Sequence, residues 1–212
     1  GISVRQDGYL SSTTVSNNAV NASESCGIDV WTYRESAESP VVRNNTVKSI
    51  SAEPVCVTSN ALRTENLTGN TSSNTAFKGL RLSGRLVTDM TLPFGALPVA
   101  LGSRGYSWPY SAWGLTVGSG ATLTVSSGVV VKAYASAELR VEGRLNAAGT
   151  AASPVVFTSV LDDSAGGDYN GDGTSTSATP GGWNGIYVTH SSEGLPGSVS
   201  LDRVTVRYAG LR

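Results

Sequence analysis

Gly1-Ile2-Ser3-Val4 returns as Gly27-Ile28-Asp29-Val30, then as Pro54-Val55-Cys56-Val57, then as Gly79-Leu80-Arg81-Leu82. These four stretches decide the fold class. They recur at steps of roughly 24–28 residues, a range in which a period marks a solenoid. Apolar residues alternate within each stretch, so a strand there buries one face. One coil cannot cover that face alone; the coils above and below must do it. Parallel strands about 4.8 Å apart then pair their backbones from coil to coil. Each of the first three stretches is followed by an Asn-centred turn: Asn17-Asn18-Ala19-Val20, Asn44-Asn45-Thr46-Val47 and Gly69-Asn70-Thr71-Ser72. Asn tolerates the left-handed backbone of a tight corner. Asn18, Asn45 and Asn70, once stacked, are expected to bond to one another as an amide ladder. The Leu spacing of a leucine-rich horseshoe is absent.

The repeat divides the chain into three stretches of one elongated domain. Residues 1–87 form the first coils. Residues 88–113 change character, with Pro93, Pro98 and Pro109 arriving beside Phe94, Tyr106, Trp108, Tyr110 and Trp113. Proline removes ladder donors, so this stretch is expected to be an irregular coil or a loop packed on the solenoid side. Its aromatics suit either a sugar-stacking platform or the apolar plug of a loop. Residues 114–212 resume short strands at Leu115–Val117, Thr122–Val125, Val129–Ala133, Glu138–Val141, Arg144–Ala147 and Val155–Ser159. Three short strands per coil, closed by Gly or Ser, suit a triangular cross-section. The step from Leu115 to Leu139 is again one coil of about 24 residues, whereas Gly185-Ile186-Tyr187-Val188 returns about one coil late. The excess lies at 160–182, which reads as an insertion projecting from one corner.

Charged residues make up only 15 % of the chain, so Ser, Thr, Asn and Gly must supply most of the surface. Those residues suit turns and short strands better than helices. A net charge of −1 with no basic cluster argues against a nucleic-acid partner. The longest apolar run, Gly128 to Ala135, is interrupted by Lys132 and falls far short of the ~20 residues of a membrane span. The chain opens inside a strand pattern, without Met, and stops just after another, so it reads as a portion of a longer protein. Cys26 and Cys56 have the wrong spacing for a zinc site. They would either bond across neighbouring coils or stand as two small buried side chains. The sequons at Asn21, Asn44, Asn66 and Asn70 fit chance occurrence in a Ser/Thr/Asn-rich solenoid.

The runs LTVGSGATLTVSSGVVVKAY (115–134), LRVEGRLNAAGT (139–150), SPVVFTS (153–159), GGWNGIYV (181–188) and LDRVTVRYAG (201–210) carry a resemblance. With the loop LDDSAGGDYNGDGT (161–174), they resemble right-handed parallel β-helix repeat proteins of the bacterial secreted and surface-exposed type. The resemblance implies an all-β, right-handed parallel β-helix and a secreted or cell-surface location. Relatives of that fold include polysaccharide lyases, hydrolases, adhesins and phage tailspikes, so it leaves function open.

One motif carries chemistry. Asp168-Tyr169-Asn170-Gly171-Asp172-Gly173 matches the opening of a calcium loop, D-x-N-x-D-G. Ca²⁺ takes six to eight oxygen ligands, and side chains at alternate positions of a tight loop converge on one point. Asp168, Asn170 and Asp172 are the candidate side-chain ligands, with the backbone carbonyl of Thr174 next. The bidentate Glu of a full loop is missing, since Thr179 stands at the twelfth position. Asp162 and Asp163 lie just upstream and are the candidate replacements. The expected ion is structural, pinning the insertion against the coil wall.

Enzyme chemistry finds less support. His190 is the only histidine, and it follows a strand with no group of carboxylates beside it. A lyase would set a Lys or Arg base beside calcium on adjacent coils. Arg140, Arg144, Arg203 and Arg207 lie on the later strands, and stacking would bring Arg140 near Arg203. That row suits an acidic glycan or a solvated outer face. The expected function is therefore a non-catalytic extracellular stalk that adheres, scaffolds or binds a polysaccharide or cell-surface glycan. End-to-end self-association is a second expected contact, because an open coil end presents unpaired backbone groups. The alternative is a polysaccharide lyase or glycoside hydrolase.

Overall fold

The computed structural model describes residues 1–6, 12–32, 38–102 and 114–210. Among them the strands fall into successive coils. The first holds β1 (Ile2–Gln6), β2 (Thr14–Ser16) and β3 (Ala19–Ser23); the second holds β4 (Ile28–Thr32), β5 (Val41–Arg43) and β6 (Thr46–Ile50). The third runs through β7 (Val55–Leu62), a 3-10 turn (Thr64–Asn66) and β8 (Thr71–Ser73). β9 (Leu80–Leu86), β10 (Met90–Leu92) and β11 (Val99–Leu101) make the fourth. β12 (Leu115–Val117), β13 (Thr122–Val125) and β14 (Val130–Ala133) follow, then β15 (Glu138–Val141), β16 (Arg144–Ala148) and β17 (Val155–Ser159). The last described coil carries β18 (Gly185–Val188), β19 (Ser198–Asp202) and β20 (Val204–Val206).

Among the described residues every pairing between these strands is parallel, and the registers follow the repeat. Ile2 pairs Ile28, Ile28 pairs Val55, and Val55 pairs Leu80. The ladder then continues through β9, β11, β14, β17 and β20. β9 is the branch point. Its first half, Leu80–Leu82, pairs Val99–Leu101, while Gly84–Leu86 pairs Leu115–Val117 and founds a second row through β15 and β18. Gly84 makes this branch feasible: its φ is +111°, and a Cβ there would lie 2.0 Å from the Ser59 carbonyl oxygen. Only glycine combines that conformation with that approach. A third row stacks β10, β13, β16 and β19.

Inward positions are mainly apolar, with polar exceptions such as Thr32, Ser59 and Ser159 on the long ladder. Leu82, Leu86, Val117, Val125, Leu139, Val141 and Leu145 are at most 1 % exposed. Each such side chain contributes about 1.5–3 kcal/mol by leaving water. The corresponding positions of the last described coil, Val188, Val199, Leu201 and Val206, are exposed.

The Pro-rich stretch is more regular than expected. β10 and β11 both lie in it and join the ladders of β13 and β14. Pro93 follows β10 and Pro98 precedes β11, so neither ring removes a donor from inside a strand. Pro98 even supplies its carbonyl to the N–H of Leu80. Tyr106, Trp108, Pro109, Tyr110 and Trp113 lie outside the described residues.

The amide ladder is present. Asn18 Nδ2 donates to Asn45 Oδ1 at 3.0 Å, and Asn45 Nδ2 donates to Asn70 Oδ1 at 2.9 Å. Asn70 closes it by donating to the carbonyls of Val42 and Leu67, both at 2.8 Å. The left-handed residue of each turn is its first: Asn17, Asn44 and Gly69 have φ of 59°, 56° and 73°. That corner residue turns the chain, and the next Asn points inward to hold it. A second left-handed corner stacks Ala22, Ser49 and Asn74, with φ of 51°, 54° and 53°.

A candidate cation loop docked on the coil flank

The outward positions of the long ladder form a row that is mainly polar. Register places Ser3, Asp29, Cys56, Arg81, Ala100, Lys132 and Thr158 side by side along the stack. They alternate with the inward apolar residues, as a pleated strand requires. Yet Cys56, Lys132 and Thr158 are buried. Residues 160–184, which connect β17 to β18, lie over this part of the row.

Lys132 explains how the cover is held. The side chain is 2 % exposed, and its Nζ donates to the carbonyl oxygens of Asp162 and, at 3.3 Å, Gly167. Burial pushes its pKa down, against the pull of Asp162, Asp163 and Asp168. Asp162 turns its carboxylate to the wall instead. It accepts from Thr158 Oγ1 at 2.6 Å and from the Ser164 amide at 3.1 Å, and it stands 3.6 Å from the Arg207 guanidinium. Burial alone would raise this carboxyl, but hydrogen bonds from Ser164 and Thr158, with the Lys132 charge behind them, hold it below the ordinary aspartate value.

The other acidic residues converge. Carboxylate oxygens of Asp163, Asp168 and Asp172 lie within 4.8 Å of one another. Asp168 shapes the turn: Oδ1 accepts the Gly171 N–H at 2.7 Å and Oδ2 the Gly173 N–H at 3.0 Å. Both glycines have φ of 70°, which the turn needs. Those amides, that of Gly173 foremost, hold the Asp168 carboxyl below its ordinary value. Asn170 Nδ2 donates to Asp172 Oδ2 at 2.8 Å. Three oxygens in this group are buried without a partner: Asp163 Oδ1, Asn170 Oδ1 and Asp172 Oδ1. Burial pushes the Asp163 carboxyl up, and the like charges of Asp168 and Asp172 add to it. The structure thus brings together Asp163, Asp168, Asn170 and Asp172. It directs the Asp162 carboxylate elsewhere and leaves Thr174 exposed beside Gly173.

Between Asp168 and Asn170, Tyr169 packs instead against the coil wall. It is 2 % exposed, meets Phe77 edge-on at 6.2 Å between ring centroids, and gives its carbonyl to the Lys78 N–H at 3.0 Å. Phe77 in turn stacks on Tyr134 at 6.5 Å. Two glycines permit the contact. A Cβ on Gly79 would come within 2.7 Å of the Tyr169 ring, and one on Gly171 within 2.3 Å of the Ala76 carbonyl oxygen. An open cavity of about 370 Å³ beside the loop is lined by Phe77, Tyr134, Ser159, Leu161, Asn170 and Asp172.

Below Tyr134 lies a buried polar cluster that sequence reasoning missed. Tyr134 donates its hydroxyl to Glu53 Oε1, and Glu53 is fully buried. Arg81 Nε stands 3.9 Å from the same oxygen, and Arg81 Nη2 lies 3.2 Å from Cys26 Sγ. Cys26 and Cys56 are joined as a disulfide, with Cα atoms 6.1 Å apart. Of the two readings left open for these cysteines, bonding across neighbouring coils is the one observed. Burial pushes the Tyr134 hydroxyl far above its usual range, with the Glu53 charge adding to it. One signal pointed to the row: Lys132 breaking an apolar strand. Glu53 and Tyr134 carried none.

The later arginines do not form the expected row. Arg140 sits 5.1 Å over the Tyr187 ring, its neighbour in register, and 3.0 Å from Glu138. Arg203 lies at the corner between β19 and β20, with φ of 49°, beside Asp202 at 3.1 Å. The two belong to different rows, which is why stacking does not unite them. His190 is exposed, with Nδ1 3.0 Å from the Ser191 carbonyl oxygen.

A family model described as a pectate-lyase-like beta helix domain matches residues 110–186. The chain is a parallel β-helix repeat protein. The matched span runs from just before β12 into β18, and the earlier coils of the β-helix continue the same ladder through β9, β11 and β14. No curated protein and no solved structure matches the chain. Among the described residues, no helix of this β-helix is long and apolar enough to cross a membrane.

Proposed function

We propose that this β-helix is a non-catalytic extracellular stalk that adheres, scaffolds or binds glycan, and that its flank loop holds a structural calcium ion. The observation that carries the calcium reading is the set of unpartnered buried oxygens on Asp163, Asn170 and Asp172. Buried oxygens without partners cost about 1–3 kcal/mol each, and crowded carboxylates repel. A hard divalent cation removes both penalties at once. The donor set fits: carboxylate and amide oxygens suit Ca²⁺, and the absence of His or free Cys from the loop disfavours softer metals. Asp163, Asp168, Asn170 and Asp172 would hold the ion, with Thr174 as the further backbone candidate.

The stalk reading is supported by how the polar groups beneath the loop are used. Lys132 is tied to two backbone carbonyls, Asp162 to Thr158 and Ser164, and both are roofed by the loop. A general base must instead reach substrate. The Cys26–Cys56 bridge supports an oxidising, extracellular location. Incubation with a panel of acidic and neutral polysaccharides in Ca²⁺ tests this reading. Retention without turnover is expected for at least one glycan if the stalk binds sugar. New unsaturated ends or reducing sugars would overturn it in favour of a lyase or hydrolase.

A further inference from the structure

We propose that the Cys26–Cys56 disulfide is a redox latch for the flank loop: cleaving it releases Tyr169 and lifts residues 160–182 from the coil wall. The inference stands on geometry that is independent of any bound cation. A continuous series of contacts joins the bridge to the loop. Arg81 Nη2 rests 3.2 Å from Cys26 Sγ, and its Nε faces the fully buried Glu53 at 3.9 Å. Glu53 accepts the Tyr134 hydroxyl; Tyr134 stacks on Phe77, and Phe77 meets Tyr169 edge-on.

Glu53 is the sensitive member. A buried carboxylate persists only while its charge and lone pairs are met, and removing one partner is far more costly than the pair is stabilising. Two-electron reduction by an external thiol or phosphine breaks the S–S bond and leaves two thiols, each taking a proton. The sulfur atoms then separate beyond bonding distance, and Cys26, the more exposed of the two, moves outward. Arg81 loses the sulfur it rests on, and Glu53 loses its fixed cation. Water or a shifted Arg81 must then reach Glu53, and the Tyr134 ring is held there by its hydrogen bond to the same oxygen. The seat of Tyr169 opens as Tyr134 and Phe77 move. The loop's other side-chain ties, the Lys132, Thr158 and Arg207 contacts, lie near its base at Asp162, Ser164 and Gly167, and the Lys78 N–H bonds the Tyr169 carbonyl. Its tip depends on Tyr169 and on the close approach of Gly171 to Ala76.

Hydrogen exchange of the full chain, with chelator present throughout, tests the latch. The variants are Cys26→Ala with Cys56→Ala, Tyr134→Phe, and all three changes combined. The latch predicts at least about tenfold faster exchange at 166–176 in the cysteine variant and in Tyr134→Phe, with little further gain when they are combined. Amides of β13 and β16, on another face, keep their protection. Unchanged loop protection in the cysteine variant, or effects that simply multiply, would overturn the proposal. Should the cysteine variant fail to fold, reduction of the folded wild type followed by thiol alkylation gives the same readout. Because no calcium is present, failure here is distinguishable from failure of the calcium reading.

Discussion

Gly79 lies directly beneath Tyr169: a Cβ at position 79 would stand 2.7 Å from the ring and 2.2 Å from the Pro98 carbonyl oxygen. The flank loop therefore docks on a surface that the repeat itself leaves bare. The glycine that opens the fourth coil serves two purposes, stacking closely under Pro98 and making room for the tyrosine.

Gly79→Ala is expected to destabilise the protein by about 1–3 kcal/mol, the usual cost of overpacking. Proteolytic cleavage within 166–176 should accelerate as well. Tyr169→Ala should produce the same loop cleavage by removing the plug. Urea unfolding and limited proteolysis check both. A Gly79→Ala protein with wild-type stability and an intact loop would mean the contact is not tight.

Asn45 is the middle rung of the amide ladder and bonds to Asn18, Asn70 and the Val15 carbonyl. Asn45→Ala leaves several buried groups unpaired, each costing about 1–3 kcal/mol. Asn18→Ala, at the end of the ladder, should cost less. Equilibrium denaturation of the two variants tests this ordering, and equal losses would contradict it.

The ladder also shows what the sequence made legible. The recurring Ile-x-Val pattern and the spaced Asn residues sufficed to place the coils and the rungs, because both arise from local periodicity. The branch at β9 was not legible: it depends on Gly84 meeting Ser59 from another coil, and one glycine looks like any other in sequence. The acidic residues were legible as a loop motif, yet the split between Asp162 and Asp163 was not. Adjacent residues point to opposite sides, and only the wall residues Thr158 and Arg207 determine which one turns inward. The Glu53–Arg81–Tyr134 cluster joins residues far apart in sequence with no shared pattern.

Asp29 provides a pH test away from the loop. Burial pushes its carboxyl up, with Arg81 and Arg5 opposing. A folded-state value above the unfolded 3.8 means that the charged form costs stability at neutral pH. That cost is relieved as pH falls through the folded value toward 3.8. Asp29→Asn should therefore raise the melting temperature at pH 7 and flatten the pH dependence of stability across that window. Calorimetric melting between pH 3.5 and 7 checks it; a lower melting temperature at pH 7 would show the arginines dominate.

Asp163 should reverse its effect with calcium. In chelator its partly buried carboxylate faces the like charges of Asp168 and Asp172, which the Lys132 charge offsets only in part, so Asp163→Asn is expected to stabilise. With calcium bound the same change removes a charged ligand and is expected to destabilise. Melting of this variant against wild type in both conditions reads the sign directly. The same sign in both would contradict the ligand role.

The most direct test of the calcium reading is scanning calorimetry of the wild-type chain in millimolar Ca²⁺ and in excess chelator, with Asp172→Asn as the control. A structural ion should raise wild-type stability by about 2.7 kcal/mol when calcium exceeds its dissociation constant a hundredfold. Asp172→Asn should lose most of that gain. Superimposable wild-type melting curves in calcium and in chelator would contradict a structural cation in the flank loop.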